Sequence, residues 1–174
     1  MRRIDTNRLT LLSSLVAVAM ILSYVEFLIP ISSAMPGMKL GLSNIATVFA
    51  LYTLGAPSAV CVSVLRVVLS SIIFGSVSSF AFSLGGAALA LGIMILTSRM
   101  GIFSPIGIST AGAVMHNVGQ TLVACLMMEN AAITTYLAPL TVSGTVAGLV
   151  IGIVSGLLVD RLDGYMKKYV KSKK

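Results

Sequence analysis

Six side chains have the types and spacing to hold a polar ligand: Lys39, Asn44, Arg66, His116, Asn117 and Gln120. Lys39 is the only cation between Arg8 and Arg66. It lies in 35–44, a stretch with a proline, two glycines, a serine and an amide between apolar runs. Pro36-Gly37 is a turn signal, because proline fixes φ and glycine accepts positive φ. Arg66 lies eight residues into the apolar run 58–74. Charges in a bilayer face a cavity or a partner. Arg66 is therefore either paired structurally, with carbonyls or with Glu26, or a ligand for an anion. His116 and Gln120 are four residues apart and share a helix face with Gly112. With Asn117 they place three hydrogen-bonding groups in one apolar helix, where an unsatisfied group costs several kcal/mol. Bonds to neighbouring helices or a substrate cavity would both satisfy them.

Several chemistries are excluded. No Gly-x-x-x-x-Gly-Lys-Ser/Thr loop is present, so the chain does not hydrolyse ATP itself. There are five acidic residues and no aspartate-rich pair to hold magnesium against a diphosphate. The single histidine lacks the neighbours of a metal site, and no Ser/His/Asp set can be argued. The expectation is a non-enzyme with no catalytic residue, metal or cofactor.

The elements that position these residues follow from composition. The 174 residues are 57% hydrophobic and 10% charged, against roughly 25% charged in soluble domains. Mean hydropathy is +1.03. The bilayer is the expected solvent, and one span takes about 20 apolar residues. The prediction is an all-α membrane protein of one domain over 1–174. Its six spans lie at about 9–29, 43–54, 58–74, 80–97, 106–128 and 137–159. A basic start before an apolar run resembles a signal peptide, but the run is long and lacks an Ala-x-Ala site, which predicts a retained span. Cys61 and Cys125 lie inside apolar runs and read as buried thiols.

The net charge of +7 comes from cations clustered at the two ends, with no basic face between them to bind nucleic acid. Six spans put Arg2, Arg3, Arg8, Arg99, Arg161 and the five tail lysines on one side, and Lys39 alone on the other. The positive-inside rule then makes both termini cytoplasmic in the cell membrane. The 35–44 and Glu129 loops face outward, and the former reads as a lid and partial wall of an outward-facing site.

Helices associate in lipid by close backbone approach. Gly144, Gly148, Gly152 and Gly156 recur every four residues, a face for packing within the chain or for dimerisation. Gly85, Gly86, Ala88 and Gly92 form a second small-residue group, and Ser13 and Ala17 lie toward the start of the first span.

The segments 36–44 (Pro-Gly-Met-Lys-Leu-Gly-Leu-Ser-Asn) and 112–120 (Gly-Ala-Val-Met-His-Asn-Val-Gly-Gln), with the Leu65-Arg66 pair, together resemble the Gx transporter family. That family is also called heptaprenyl diphosphate synthase component I and is grouped with the S components of energy-coupling-factor (ECF) transporters. The resemblance covers nearly the whole chain. It implies a six-helix bundle with a pocket capped by the first loop. It also implies docking of the first helix on a partner transmembrane subunit through an Ala-xxx-Ala pattern, approximated here by Ser13-xxx-Ala17. Two functions follow as expectations. One is a substrate-binding subunit that works with ATPase partners to import a small, anionic molecule related to vitamins, flavins or isoprenoids. The other is a non-catalytic membrane accessory of heptaprenyl diphosphate or quinone synthesis.

Overall fold

The structure, a computed structural model, describes residues 6–29 and 41–171. Lys39 and the Pro36-Gly37 turn lie outside the described residues. The elements are α1 (Thr6–Leu28), α2 (Asn44–Leu54), α3 (Ala56–Phe74), α4 (Val77–Met100), α5 (Pro105–Met128) and α6 (Leu137–Lys171). A 3₁₀ turn, Ala131–Tyr136, precedes α6. The described residues form an all-helical bundle, and α1, α3, α4, α5 and α6 are each long and apolar enough to cross a membrane. The protein is a multi-pass membrane protein.

Local chemistry sets the helix ends. Ser76 and Ser104 cap α4 and α5 by accepting from the amides of Ser79 and Gly107, and Pro105 opens α5, where its missing N–H costs nothing. Only Gly55, at φ +87°, separates α2 from α3. That backbone conformation suits glycine and reverses the chain in one residue. Two expectations change. The charged tail does not end the last helix at 159, since α6 continues to Lys171. Charged residues are good helix formers once outside the hydrocarbon. The 129–136 loop is also mostly structured, with the Asn130 side chain accepting from Ala132 N–H to start the 3₁₀ turn.

The helix α2 differs in kind from the rest. Its eleven residues span about 16 Å, roughly half of a 30 Å hydrocarbon layer. Six consecutive residues, 46–51, are buried, so it is enclosed on every side. Irregular backbone at membrane depth is tolerated only where protein or a cavity surrounds it. Arg8 of α1 fixes the other end of α2, donating to the Leu54 carbonyl at 3.2 Å and to Ser58 Oγ at 2.9 Å. At the far end of the bundle Tyr24 and Phe27 of α1 pack on Phe74 of α3. These contacts make α1 and α3 parallel and place Thr6 beside the α2–α3 turn.

The α4–α5–α6 half is joined through glycine. A Cβ on Gly119 would lie 2.9 Å from the Gly86 Cα, so α4 and α5 touch backbone to backbone. All four α6 glycines lie along α5: Gly144 by Asn117, Gly148 by Thr110, Gly152 by Ile106 and Gly156 by Pro105. The small residues of α4 do not form one seam. Gly85 and Gly86 meet α5, whereas Gly92 faces open space and Ala88 is exposed. In lipid, such close approach replaces the hydrophobic driving force available in water.

Gly148→Val tests the seam, because its Cβ would lie 2.7 Å from Thr110 Cα and 2.9 Å from Ala113 Cβ. Overpacking should cost about 1–3 kcal/mol, read by detergent-titrated unfolding and circular dichroism. Gly92→Ala, with nothing within 4 Å, should instead gain up to about 1 kcal/mol through helix propensity. Equal effects at both positions would refute a close-packed α5–α6 contact.

Candidate ligand-binding site

Arg66 is 7% exposed, near the middle of α3. Its Nη2 donates to Asn44 Oδ1 at 3.3 Å, which brings together two of the residues singled out from sequence. Asn44 is the first residue of α2, so the guanidinium lies at the positive end of that helix's dipole. The Arg66 Nε has no hydrogen-bond partner among the described residues. Ser43 Oγ and Thr47 Oγ1, four residues apart at the start of α2, are likewise buried and without partners there. Guanidinium offers five N–H donors, and one amide oxygen meets few of them.

Glu26 supplies a negative charge that attracts Arg66 across the α1–α3 contact. Its carboxylate also binds backbone, since Oε1 accepts the Gly41 amide at 2.6 Å. Gly41 has φ +71°, and the space a Cβ would take is bounded by Asn44 Nδ2 at 3.2 Å. Glu26 therefore holds the chain entering α2, rather than simply facing water. Gly41 and Leu42 carbonyls in turn accept from the amides of Asn44 and Ile45. Glu26, Gly41, Asn44 and Arg66 thus link α1, the start of α2 and α3.

The second constellation sits in the other half. His116, Asn117 and Gln120 are all buried on α5. His116 occupies space left by Gly86 of α4, where a Cβ would come within 2.8 Å of the imidazole. Asn117 Nδ2 donates to the Leu140 carbonyl of α6. Gln120 lines a cavity of about 260 Å³ with Phe82, Thr121, Ala124, Met128, Ile133, Tyr136 and Leu140. Asn44, Arg66, His116 and Asn117 do not line that cavity. Thr121, Ser43 and Thr47 went unnoticed in the sequence, since lone hydroxyls in apolar helices give no periodic signal. Thr121, directly after Gln120, was the most findable of them.

Ser13 and Ala17 lie on the exposed face of α1, whose only buried residue is Ala19. The hydroxyls of Ser13 and Ser14 turn back onto Leu9 and Thr10 carbonyls at 3.0 Å, so this part of α1 presents small side chains with few polar groups to donate, among exposed large ones such as Leu9, Val18 and Ile21. Both cysteines are free.

Residues 15–158 match the family model for heptaprenyl diphosphate synthase component I. A solved structure described as the S component of a bacterial ECF transporter superposes with a TM-score of 0.58 at 21% identity, covering 94% of this chain and 99% of that one. The fold is that of an ECF S component. No curated protein matches the sequence.

Asn44→Ala should cost roughly 1–3 kcal/mol, because Arg66 stays buried and loses its acceptor. Asn44→Asp keeps an oxygen there and should remain near the parent in the same unfolding titration. If the alanine variant matches the parent, Arg66 draws its support from elsewhere.

Proposed function

The chain belongs to the heptaprenyl diphosphate synthase component I family, and from that premise we propose that it is the substrate-binding membrane subunit of an ECF-type importer for a small molecule with an anionic group. The observation that carries this reading is Arg66. A guanidinium is buried at membrane depth, at the N-terminal end of a half-length helix, with its Nε unpartnered among the described residues. A half-helix that starts inside the bilayer aims its positive dipole end at anionic substrate groups in broken-helix transporters. A guanidinium beside it adds charge-assisted, fork-shaped hydrogen bonding suited to carboxylate or phosphate. A preformed, buried donor set of this kind favours binding because it needs little reorganisation.

In this reading Arg66 binds the anion and Lys39 adds charge from the 35–44 lid. Asn44, Asn117, His116 and Gln120 orient the substrate. Ser13 and Ala17 form the docking face for a partner transmembrane subunit that carries the ATPases. The ten cations at the two ends and at Arg99 favour cytoplasmic termini, and the structure is compatible with this, since the parallel α1 and α3 and the antiparallel α4–α5–α6 seam bring the start of α1 and the end of α6 to one end of the bundle. A substrate shuttled by reorienting the whole small bundle needs no catalytic residue in this chain. The family description favours one further reading, a non-catalytic membrane component that works with a separate prenyl synthase. Its anionic ligand would then be a prenyl diphosphate, recognised by the same arginine.

Native mass spectrometry of the protein in nanodiscs, screened against vitamins, flavins and prenyl diphosphates, tests both. The expected result is retention of an anionic ligand whose affinity falls tenfold or more in Arg66→Gln and also falls in Lys39→Ala. Co-purification of an ATPase pair supports import, and a soluble prenyl synthase supports the second reading. An affinity unchanged in Arg66→Gln, Lys39→Ala and His116→Ala would remove the site.

A further inference from the structure

The helix α6 is longer than a span requires. Its 35 residues make about 52 Å, against about 30 Å of hydrocarbon and 40–45 Å with both headgroup layers. Its last part therefore leaves the hydrocarbon as helix. That part carries Arg161, Lys167, Lys168 and Lys171, with Asp160 and Asp163 ahead of the lysines. The helix stands clear of its neighbours there. Asp160, Arg161 and Leu162 are exposed, and a Cβ on Gly164 would meet nothing within 4 Å.

Register decides how these residues continue the bundle. An α-helix returns to the same direction after about five turns, or 18 residues. Gly144, Gly148 and Gly152, which lie along α5, are followed at that interval by Leu162, Met166 and Val170. Leu149, Val150 and Ile153, all exposed and apolar, are followed by Lys167, Lys168 and Lys171. Exposed Leu157 is followed one turn on by exposed Arg161. Asp160, at the same interval after Val142, is the one acid on that face. The face that meets lipid tails within the span thus becomes cationic where the helix reaches headgroup level, while the packing face stays apolar. The positive-inside rule counts cations without regard to helix face, so it does not account for this register.

We propose that this face of α6 binds anionic lipid headgroups in the leaflet at that end of the bundle. Charge complementarity names the occupant. Four cations and one acid on one face match headgroups of net negative charge, and juxtamembrane cations gain from an anionic leaflet. The long stem of lysine lets a residue just beyond the boundary deliver its charge to it. Continuity argues for lipid over a second protein, because the same face runs unbroken from the exposed apolar residues of the span. The inference is independent of what the protein transports.

The chain has no tryptophan, so a single one reports its own lipid neighbours. Leu157→Trp places it on this face just before Arg161, and Val142→Trp places it on the same face near the other end of α6. Each variant, confirmed folded by circular dichroism, is reconstituted with brominated phosphatidylglycerol or brominated phosphatidylcholine diluted into unbrominated lipid. Quenching then gives the relative association of the two. In Leu157→Trp phosphatidylglycerol should be favoured by about threefold or more at low salt. The ratio should fall to near one in 1 M salt, where screening acts within about 3 Å. In Val142→Trp it should be near one throughout. Adding Lys167→Gln, Lys168→Gln and Lys171→Gln together should bring the Leu157→Trp ratio to near one at low salt. The proposal is overturned by equal quenching in Leu157→Trp at low salt, by a preference that survives the glutamines or high salt, or by an equal preference in Val142→Trp. Quenching of Leu157→Trp by neither lipid also overturns it, since a second copy or another protein then covers the face.

Discussion

A single buried charge governs this bundle. Arg66 is enclosed in the middle of an apolar helix, where an ion costs several kcal/mol unless it is met by opposite charge or oriented dipoles. The surrounding chain is shaped to that need. Asn44 gives the guanidinium an acceptor, and Glu26 supplies a counter-charge while fastening Gly41, whereas the positive N-terminal end of α2 beside it adds to the cost. A full-length second span would place ordinary helix where these groups now converge. The short, fully enclosed α2 and the arginine are therefore two aspects of one arrangement.

The two halves of the molecule solve their packing differently. In α4–α5–α6, glycines bring backbones into contact, and His116 and Asn117 fill or bridge the remaining space. The backbones in that half are close-packed along the glycines, and a cavity of about 260 Å³ bordered by Gln120 and Thr121 remains beside them. In α1–α2–α3, hydrogen bonds from Arg8, Glu26 and Arg66 set the geometry, and α1 is largely exposed.

The polar groups also divide by chemistry. A cationic cluster lies at the start of α2, and a neutral cavity with one polar corner lies at the far end of α5. The 3₁₀ turn that closes the cavity is built from Asn130 capping Ala132, so a connection that reads as a plain polar loop supplies two cavity walls.

Much of this was legible in the sequence. An apolar, charge-poor composition dictates membrane helices, and the glycine and proline breaks place their ends within a few residues. The importance of Arg66, His116, Asn117 and Gln120 also follows from sequence alone, because polar groups in hydrocarbon must have partners. The partners themselves do not follow. That Asn44 meets Arg66, that Glu26 holds Gly41, and that Asn117 reaches Leu140 across α6 depend on contacts 15 to 23 residues apart in the chain. Local periodicity carries no information at that range. The sequence determined that this protein lives in a bilayer and which few side chains must be accounted for. Only the tertiary structure decided that α2 stops halfway, that the α4 glycines divide between a seam and open space, and that Thr121 borders a cavity. Each of these is set by how closely one helix backbone can approach another, a property of the assembled bundle rather than of any single helix.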